Sequence, residues 1–375
     1  MKANVSQQQL AHGLGIVSRA VAPRSTLPVL SNVLIATDEG RLRLSATNLE
    51  LGISCWIGAQ IEQEGAITVP ARTFSDLVST LPPAQIELEL NTQTQSLAVR
   101  CGQSKTDIKG IDAQEYPPIP TPDLAEGVEL NIADLKEMIQ QVVFAASSDE
   151  ARPVLQGVSM TVSGDEVTMA ATDGFRISVR KTNLSNPVDK TMSAIIPARA
   201  LSELARIATD GDTTVTMNLP PERGQVLFHL KDAELVSQLI EGNFPDYKAI
   251  LPTSFTTSTT VTTDELQKAC RQAEIIAREG SYIVRLEIGS ADDGSGQIKL
   301  YAQTEETGSQ NNHVGASIDG PDLTIAFNVR FLREVLDVIK TPSIVLQTNA
   351  NNTPGLIQQV NDASFQHVIM PMHLG

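Results

Sequence analysis

The chain is 375 residues long, 41% hydrophobic and 19% charged, with a formal net charge of −16, which suits two or three globular domains rather than one. No stretch approaches eighteen uninterrupted apolar residues, so a transmembrane helix is excluded. The acidic balance also opposes nucleic-acid binding, which needs a basic footprint, unless the acid is unevenly placed.

The N-terminal MKANVSQQQLAHGLGIVSRAV lacks the apolar core and small-residue cleavage site of a signal peptide. A cytoplasmic chain is therefore expected. Leu10, Leu14, Val17 and Val21 recur at helical spacing, predicting a helix over 6–21. Strand patterns follow, including Arg41–Leu44, and then Val69-Pro70-Ala71-Arg72 opens a helix over 70–81. Strands Ile86–Leu90 and Leu97–Arg100 flank turn residues Asn91–Ser96, and a Pro-rich connector spans Tyr116–Pro122.

The order then begins again. A helix is predicted over 131–147, a strand over Val167–Ala171 and a helix over 197–208. After the Thr- and Ser-rich connector Leu251–Thr260 come helices over 263–279 and 328–340. Pro28–Val33 returns as Pro153–Val158 and LRLSAT as VTMAAT, both displaced by 125, and VPAR returns as IPAR displaced by 127. A fainter third copy lies 131 further on, mapping Leu135 to Leu266, Ala171 to Ala302 and Arg199 to Arg330. Such self-similarity predicts three domains, 1–122, 123–252 and 253–375. Each is α+β, with two helices on mostly antiparallel sheet.

This organisation settles where the acid lies. The six predicted helices sum to +1, leaving −17 on strands and loops. A near-neutral helical side tolerates phosphate where the sheet side repels it. The 4% aromatic content disfavours a base-stacking single-strand binder.

Catalytic chemistry finds little support. Cys55, Cys101 and Cys270 have no CxxC spacing and read as small buried apolar residues. The five histidines form no metal-ligand pattern, no phosphate-binding glycine loop occurs, and neither metal nor cofactor is expected. Ala171-Thr-Asp-Gly-Phe-Arg-Ile177 reads as a hairpin turn. Its Asp173 corresponds to Asn48 in the first copy, and no nucleophile–base set accompanies it. The apolar terminus Val368–Gly375 is either a last strand or half of a binding groove in which methionines adapt to varied partners.

The repeat, RSTLPVL at 24–30, VPAR at 69–72, ATDGFRI at 171–177, GNFPDY at 242–247 and the terminal VIMPMHL together resemble the bacterial DNA polymerase III beta subunits, in order along essentially the whole chain. The resemblance implies a DNA clamp fold. Two three-domain protomers join head to tail as a homodimeric ring, with helices lining the hole around double-stranded DNA, bound without sequence preference. It also implies a non-catalytic processivity factor that tethers the DNA polymerase III catalytic subunit, the clamp loader complex, and other polymerases and repair factors through short peptides.

The peptide groove implied here comprises Leu155, Thr172, Gly174, Phe175, Arg176, Ile177, Pro245, Ala249, Ile250, Val368, Ile369, Met370, Pro371 and Met372, with Arg176 on its rim. Phe175 and Ala249 depart from the family pattern and bear on peptide preference. Arg24, Arg72, Arg152, Arg199 and Arg330 are the implied DNA-facing residues, three of them at helix starts whose free N–H groups favour phosphate. Ring closure would join an edge near Thr106 and Ile108 to Ile275 and Ile276 of another protomer. A cytoplasmic, nucleoid-associated protein with no membrane partner is expected. A repeat-built interaction scaffold that never encircles DNA stays open as the alternative.

Overall fold

A computed structural model describes residues 1–22, 26–122, 127–209, 211–220 and 223–373. The first repeat runs β1 (Lys2–Ser6), α1 (Gln7–Val17), β2 (Asn32–Asp38), β3 (Arg41–Thr47), β4 (Leu51–Ile57), β5 (Gln60–Gln63), β6 (Ala66–Pro70), α2 (Ala71–Thr80), β7 (Gln85–Asn91), β8 (Ser96–Cys101), β9 (Ser104–Lys109) and β10 (Ile111–Asp112). The second runs β11 (Val128–Asn131), α3 (Ile132–Val142), β12 (Gly157–Thr172), β13 (Arg176–Pro197), α4 (Ala198–Ile207), β14 (Thr214–Asn218), β15 (Gln225–His229) and β16 (Ala233–Gln238). The third runs β17 (Thr257–Thr262), α5 (Thr263–Ala277), β18 (Ile283–Ser290), β19 (Gly296–Thr304), β20 (Gly308–Asp319), β21 (Leu323–Asn328), α6 (Val329–Val338), β22 (Ser343–Thr348), β23 (Gly355–Gln359) and β24 (Asp362–Ile369).

Helices stand where the repeat places them, with shorter ends. Helix α1 gives way at Ser18 to a 3-10 turn (Ser18–Ala20), where the Ser18 hydroxyl donates to the Leu14 carbonyl at 2.5 Å and competes with the backbone ladder. Helix α3 likewise tightens into a 3-10 turn, Val143–Ala145. Strands β6 and β13 end in Pro70 and Pro197, immediately before α2 and α4. The third copy has Asn328 instead, whose side chain caps α6 by accepting from the Arg330 amide at 3.0 Å.

The chain divides into two compact units, Met1–Ala133 with Arg199–Leu239 and Asp134–Ala198 with Ile240–Gly375. The division cuts through the second repeat because its strands pair with both other repeats. In the first unit β4 pairs antiparallel with β16, Leu51 opposite Ser237 and Cys55 opposite Ala233. In the second unit β13 pairs antiparallel with β24, Arg176 opposite Ile369 and Arg180 opposite Phe365. Residues 176–180 are the repeat equivalents of 51–55, so one joint occurs twice. The first unit holds sheets ordered β5-β1-β7-β8-β9 and β10-β6-β2-β3-β4-β16-β15-β14-β11, and the second unit one of β12-β13-β24-β23-β22-β17-β20-β19-β18-β21.

Each unit buries its helices' apolar stripes against sheet. Leu10, Leu14 and Val17 of α1 are buried, and the helix approaches so closely that a Cβ at Gly13 would meet Leu44 Cδ1 at 2.8 Å. In the second unit Leu266, Cys270 and Ala273 of α5 pack with Leu332 and Leu336 of α6 against Val284, Leu300 and Phe327. Each such large side chain contributes roughly 1.5–3 kcal/mol.

Candidate functional site

The turn between β12 and β13 is held by its own short polar side chains. Thr172 Oγ1 donates to the Arg176 carbonyl at 2.7 Å and accepts from the Gly174 amide at 3.0 Å. Asp173 Oδ1 accepts from the amides of Phe175 at 2.9 Å and Arg176 at 3.1 Å. Gly174, at φ +95°, takes the left-handed conformation that glycine adopts without steric cost. Asp173 is thereby committed to the turn.

The chain's tail docks on that turn. The Met370 amide donates to the Phe175 carbonyl at 2.9 Å and the Met372 amide to the Ala326 carbonyl at 2.8 Å. Val368 and Ile369 are buried rungs of the β13–β24 ladder, forming structure beneath the site rather than surface. Thr172 and Ile177 are buried too. From 240–251, Phe244 and Tyr247 pack on Ala170, Ile177 and Val179, and Pro245 accepts from the Tyr247 amide at 2.8 Å. Leu155 is half-buried in the 3-10 turn Pro153–Gln156, Pro371 and Met372 are half-buried, and Pro245 and Ala249 are exposed. Phe175 is 59%, Ile250 45% and Met370 39% exposed. These are three of the six large hydrophobics exposed among the described residues. Phe175 and Met370 adjoin through the hydrogen bond from the Met370 amide to the Phe175 carbonyl, and adjoining exposed apolar residues mark a contact surface.

Arg176 is not on the rim. It is buried, bonded to Asp173 Oδ2 at 3.1 Å, Glu334 Oε2 at 2.5 Å and the Phe144 carbonyl at 2.7 Å. Its guanidinium lies 4.3 Å from the Phe331 ring centroid and 5.3 Å from that of Phe144. Burial pushes the Glu334 carboxyl up, but hydrogen bonds from Arg330 and Arg176 outweigh it and hold the group below its ordinary value. The exposed cation at the turn is Arg152, bound to Asp149 Oδ2 at 2.9 Å and the Asp173 carbonyl at 3.2 Å. Arg152, which the sequence reading put with the DNA-facing residues, thus lies against the 172–176 turn. Phe144, Phe331 and Glu334 were missed by sequence reasoning, since no local pattern announces their approach to residue 176.

Of the other arginines, Arg24 lies outside the described residues. Arg72, Arg199 and Arg330 are each the second residue of α2, α4 and α6 and are exposed. Arg72 lies 3.8 Å from Asp76, Arg199 donates to the Arg19 carbonyl at 3.2 Å, and Arg330 Nε reaches Glu334 at 2.8 Å. The α-helices carry eight basic and nine acidic residues, a net −1 in place of the expected +1 because their ends are shorter. They remain near neutral in a chain of −16. Thr106 and buried Ile108 lie on β9, the last strand of its sheet. On α5, Ile275 is 57% exposed, while Ile276 packs against the core.

Burial pushes the Cys55 and Cys270 thiols up to about 12, which leaves them without thiolate character at neutral pH. Among the described residues, no helix is long and apolar enough to cross a membrane.

Three family models for the DNA polymerase III beta subunit match in succession: the N-terminal domain over 1–120, the central domain over 129–246 and the C-terminal domain over 248–373. The chain belongs to this family. The beta sliding clamp of Synechococcus elongatus is 35% identical over 378 residues, with 100% of both chains covered. That of Bacillus subtilis is 30% identical with 99% of both covered. Solved structures agree: the Bacillus subtilis DNA polymerase sliding clamp superposes with a TM-score of 0.93 at 30% identity, and the DNA polymerase III beta subunit of Pseudomonas aeruginosa with 0.90 at 27%, each covering 100% of both chains. The beta-subunit family supplies no catalytic role for Asp173, in keeping with its commitment to the turn.

Proposed function

We infer that this chain is a DNA sliding clamp: a non-catalytic homodimeric ring around duplex DNA that tethers the DNA polymerase III catalytic subunit, the clamp loader and other clamp-binding proteins. The observation that carries ring closure is the twice-repeated joint. The closing strand of one repeat pairs with the repeat before it at residues 51–55 or their equivalents 176–180, as β16 on β4 and β24 on β13. In the first repeat the last long strand, β9, ends its sheet. The third repeat's fourth strand, β20, pairs with β19 over Gly308–Gly315, and no described strand takes its other side there. A third joint of the same kind therefore needs a second copy, and two such joints close under a twofold axis.

Keeping inward residues opposite inward residues, the two observed registers carry over to Ser104 opposite Asn312, Thr106 opposite Gln310 and Ile108 opposite Gly308 of the other protomer. Directly opposed residues on antiparallel strands lie at distances a disulfide can span. Thr106→Cys with Gln310→Cys should cross-link on oxidation to twice 40.3 kDa, whereas Thr106→Cys with Asn311→Cys, on the opposite face, should not. A monomer at every concentration would remove the ring. Ile275 and Ile276 are assigned to the same closure as its apolar cover.

The helix-start arginines Arg72, Arg199 and Arg330, together with Arg24, serve as sparse phosphate contacts. Retention comes from topology. The ring's place is the cytoplasm, at the nucleoid. The exposed Phe175, Ile250 and Met370, with Leu155, Pro245, Ala249, Pro371 and Met372 around them and Arg152 at the edge, take the apolar anchors of partner peptides. Removing Met370–Gly375 spares the buried rungs Val368 and Ile369 but takes away Met370. Affinity for a polymerase tail peptide should fall at least tenfold (about 1.4 kcal/mol) with the dimer intact; unchanged affinity by calorimetry places the groove elsewhere.

A further inference from the structure

The repeated joint also repeats the turn beside it. In the first unit Thr47 Oγ1 donates to the Leu51 carbonyl at 3.0 Å and accepts from the Leu49 amide at 3.0 Å. Asn48 Oδ1 accepts from the amides of Glu50 at 3.1 Å and Leu51 at 2.7 Å. The Gln238 amide closes the turn by donating to the Glu50 carbonyl at 2.8 Å. Thr47, Asn48, Glu50 and Gln238 thus hold the places of Thr172, Asp173, Phe175 and Met370. The two sites share a backbone frame and differ in side chains.

A cavity of about 280 Å³ opens at this first turn, walled by Leu49, Glu50, Pro117–Pro120 and Val236. Leu49 holds the place of Gly174, yet it is a leucine at φ +76° and 52% exposed. An L-residue held there costs free energy, and an apolar side chain turned to water recovers none of it. A partner that covers Leu49 would. Glu50 is the one charged side chain among the described lining residues, so the wall repels phosphate and complements a cation. The volume lies just below the range of small-molecule pockets, roughly 300–1,000 Å³, enough for an extended segment's side chains and too small for a folded element.

We propose that the first joint is a second peptide-binding site, taking an extended segment of another protein in which an apolar anchor lies close to Lys or Arg. The proposal rests on the reading of the second-joint turn as a peptide groove, and the test separates the two. Leucine-methyl NMR of the full-length protein is followed during titration with Ac-Arg-Ser-Leu-Leu-Phe-NH2 and with its counterpart bearing Glu for Arg. The arginine peptide should shift both the Leu49 and the Leu155 methyls saturably. The glutamate peptide should shift Leu155 alone.

Glu50→Lys should weaken the Leu49 titration at least about fivefold, the upper range for one exposed ion pair, with Leu155 unaffected. Leu49→Gly relieves the left-handed leucine, so Tm should not fall, while calorimetric stoichiometry drops from two peptides per chain to one. A Leu49 signal that ignores the arginine peptide while Leu155 responds overturns the second site. So does a Leu49 response indifferent to peptide charge and to Glu50→Lys. Silence at Leu155 with the charge-dependent response at Leu49 would instead overturn the second-joint groove and support this one.

Discussion

Loaded onto a nicked circular duplex, the protein should stay bound when salt is doubled; once that circle is cut, it should be lost. The physical reason is the weakness of its phosphate contacts. If Arg72, Arg199 and Arg330 of both protomers each neutralise one phosphate, the log–log salt slope is about −5, so doubling the salt costs a purely electrostatic complex about fortyfold in affinity. A chain of net charge −16 with near-neutral helices has no further attraction to make up that loss. A closed ring on a circle cannot leave by breaking contacts, so its retention is insensitive to the same change. Gel filtration of loaded complexes before and after linearisation checks this. Equal lifetimes on both forms would sink the ring and favour a scaffold that never encircles DNA.

Arg176→Ala should be among the most damaging substitutions in the second unit, costing about 3–5 kcal/mol, the range for removing one partner of a buried ion pair. It leaves Asp173 and Glu334, both largely buried, short of their shared cation, and it empties the space beside the Phe144 and Phe331 rings. Asp173 also orders the turn that presents Phe175, so peptide affinity should fall with stability. Arg176→Met combined with Glu334→Gln refills that space and removes one orphaned charge, so it should recover much of the stability. Urea denaturation at fixed protomer concentration reads both variants, since a dimer's stability depends on concentration. A loss below about 1 kcal/mol for Arg176→Ala, the value of an exposed pair, would return Arg176 to the rim.

Much of the fold was legible because the repeat is written in local chemistry. Proline or asparagine at a strand's end, followed by a helix whose second residue is arginine, recurs at 70–72, 197–199 and 328–330, and the structure starts α2, α4 and α6 there. Helix ends were less legible, because at Ser18 a single side-chain hydrogen bond competes with the helix ladder. The site was partly legible. ATDGFRI and the apolar tail stood out as motifs, and the structure brings them together through the Met370–Phe175 hydrogen bond. The division of labour within them was hidden. The resemblance implied Val368, Ile369 and Ile177 as groove contacts, but all three are buried rungs of the β13–β24 ladder, whose register is set by the neighbouring strand.

The sequence by itself determined three similar α+β repeats, near-neutral helices in an acidic chain, and the residues that form the turn at 172–176. These follow from propensity, spacing and charge, which act over a few residues. Only the tertiary structure decided that Arg176 is buried and that Arg152 is the exposed cation. It also decided that one strand-pairing joint occurs twice and leaves β9 and the Gly308–Gly315 part of β20 each with one described neighbour, and that Leu49 stands exposed where the second joint has glycine. Each of these depends on which distant residue arrives opposite. Arg176 meets Glu334 across 158 positions, and a guanidinium can be buried only when its partners are brought to it.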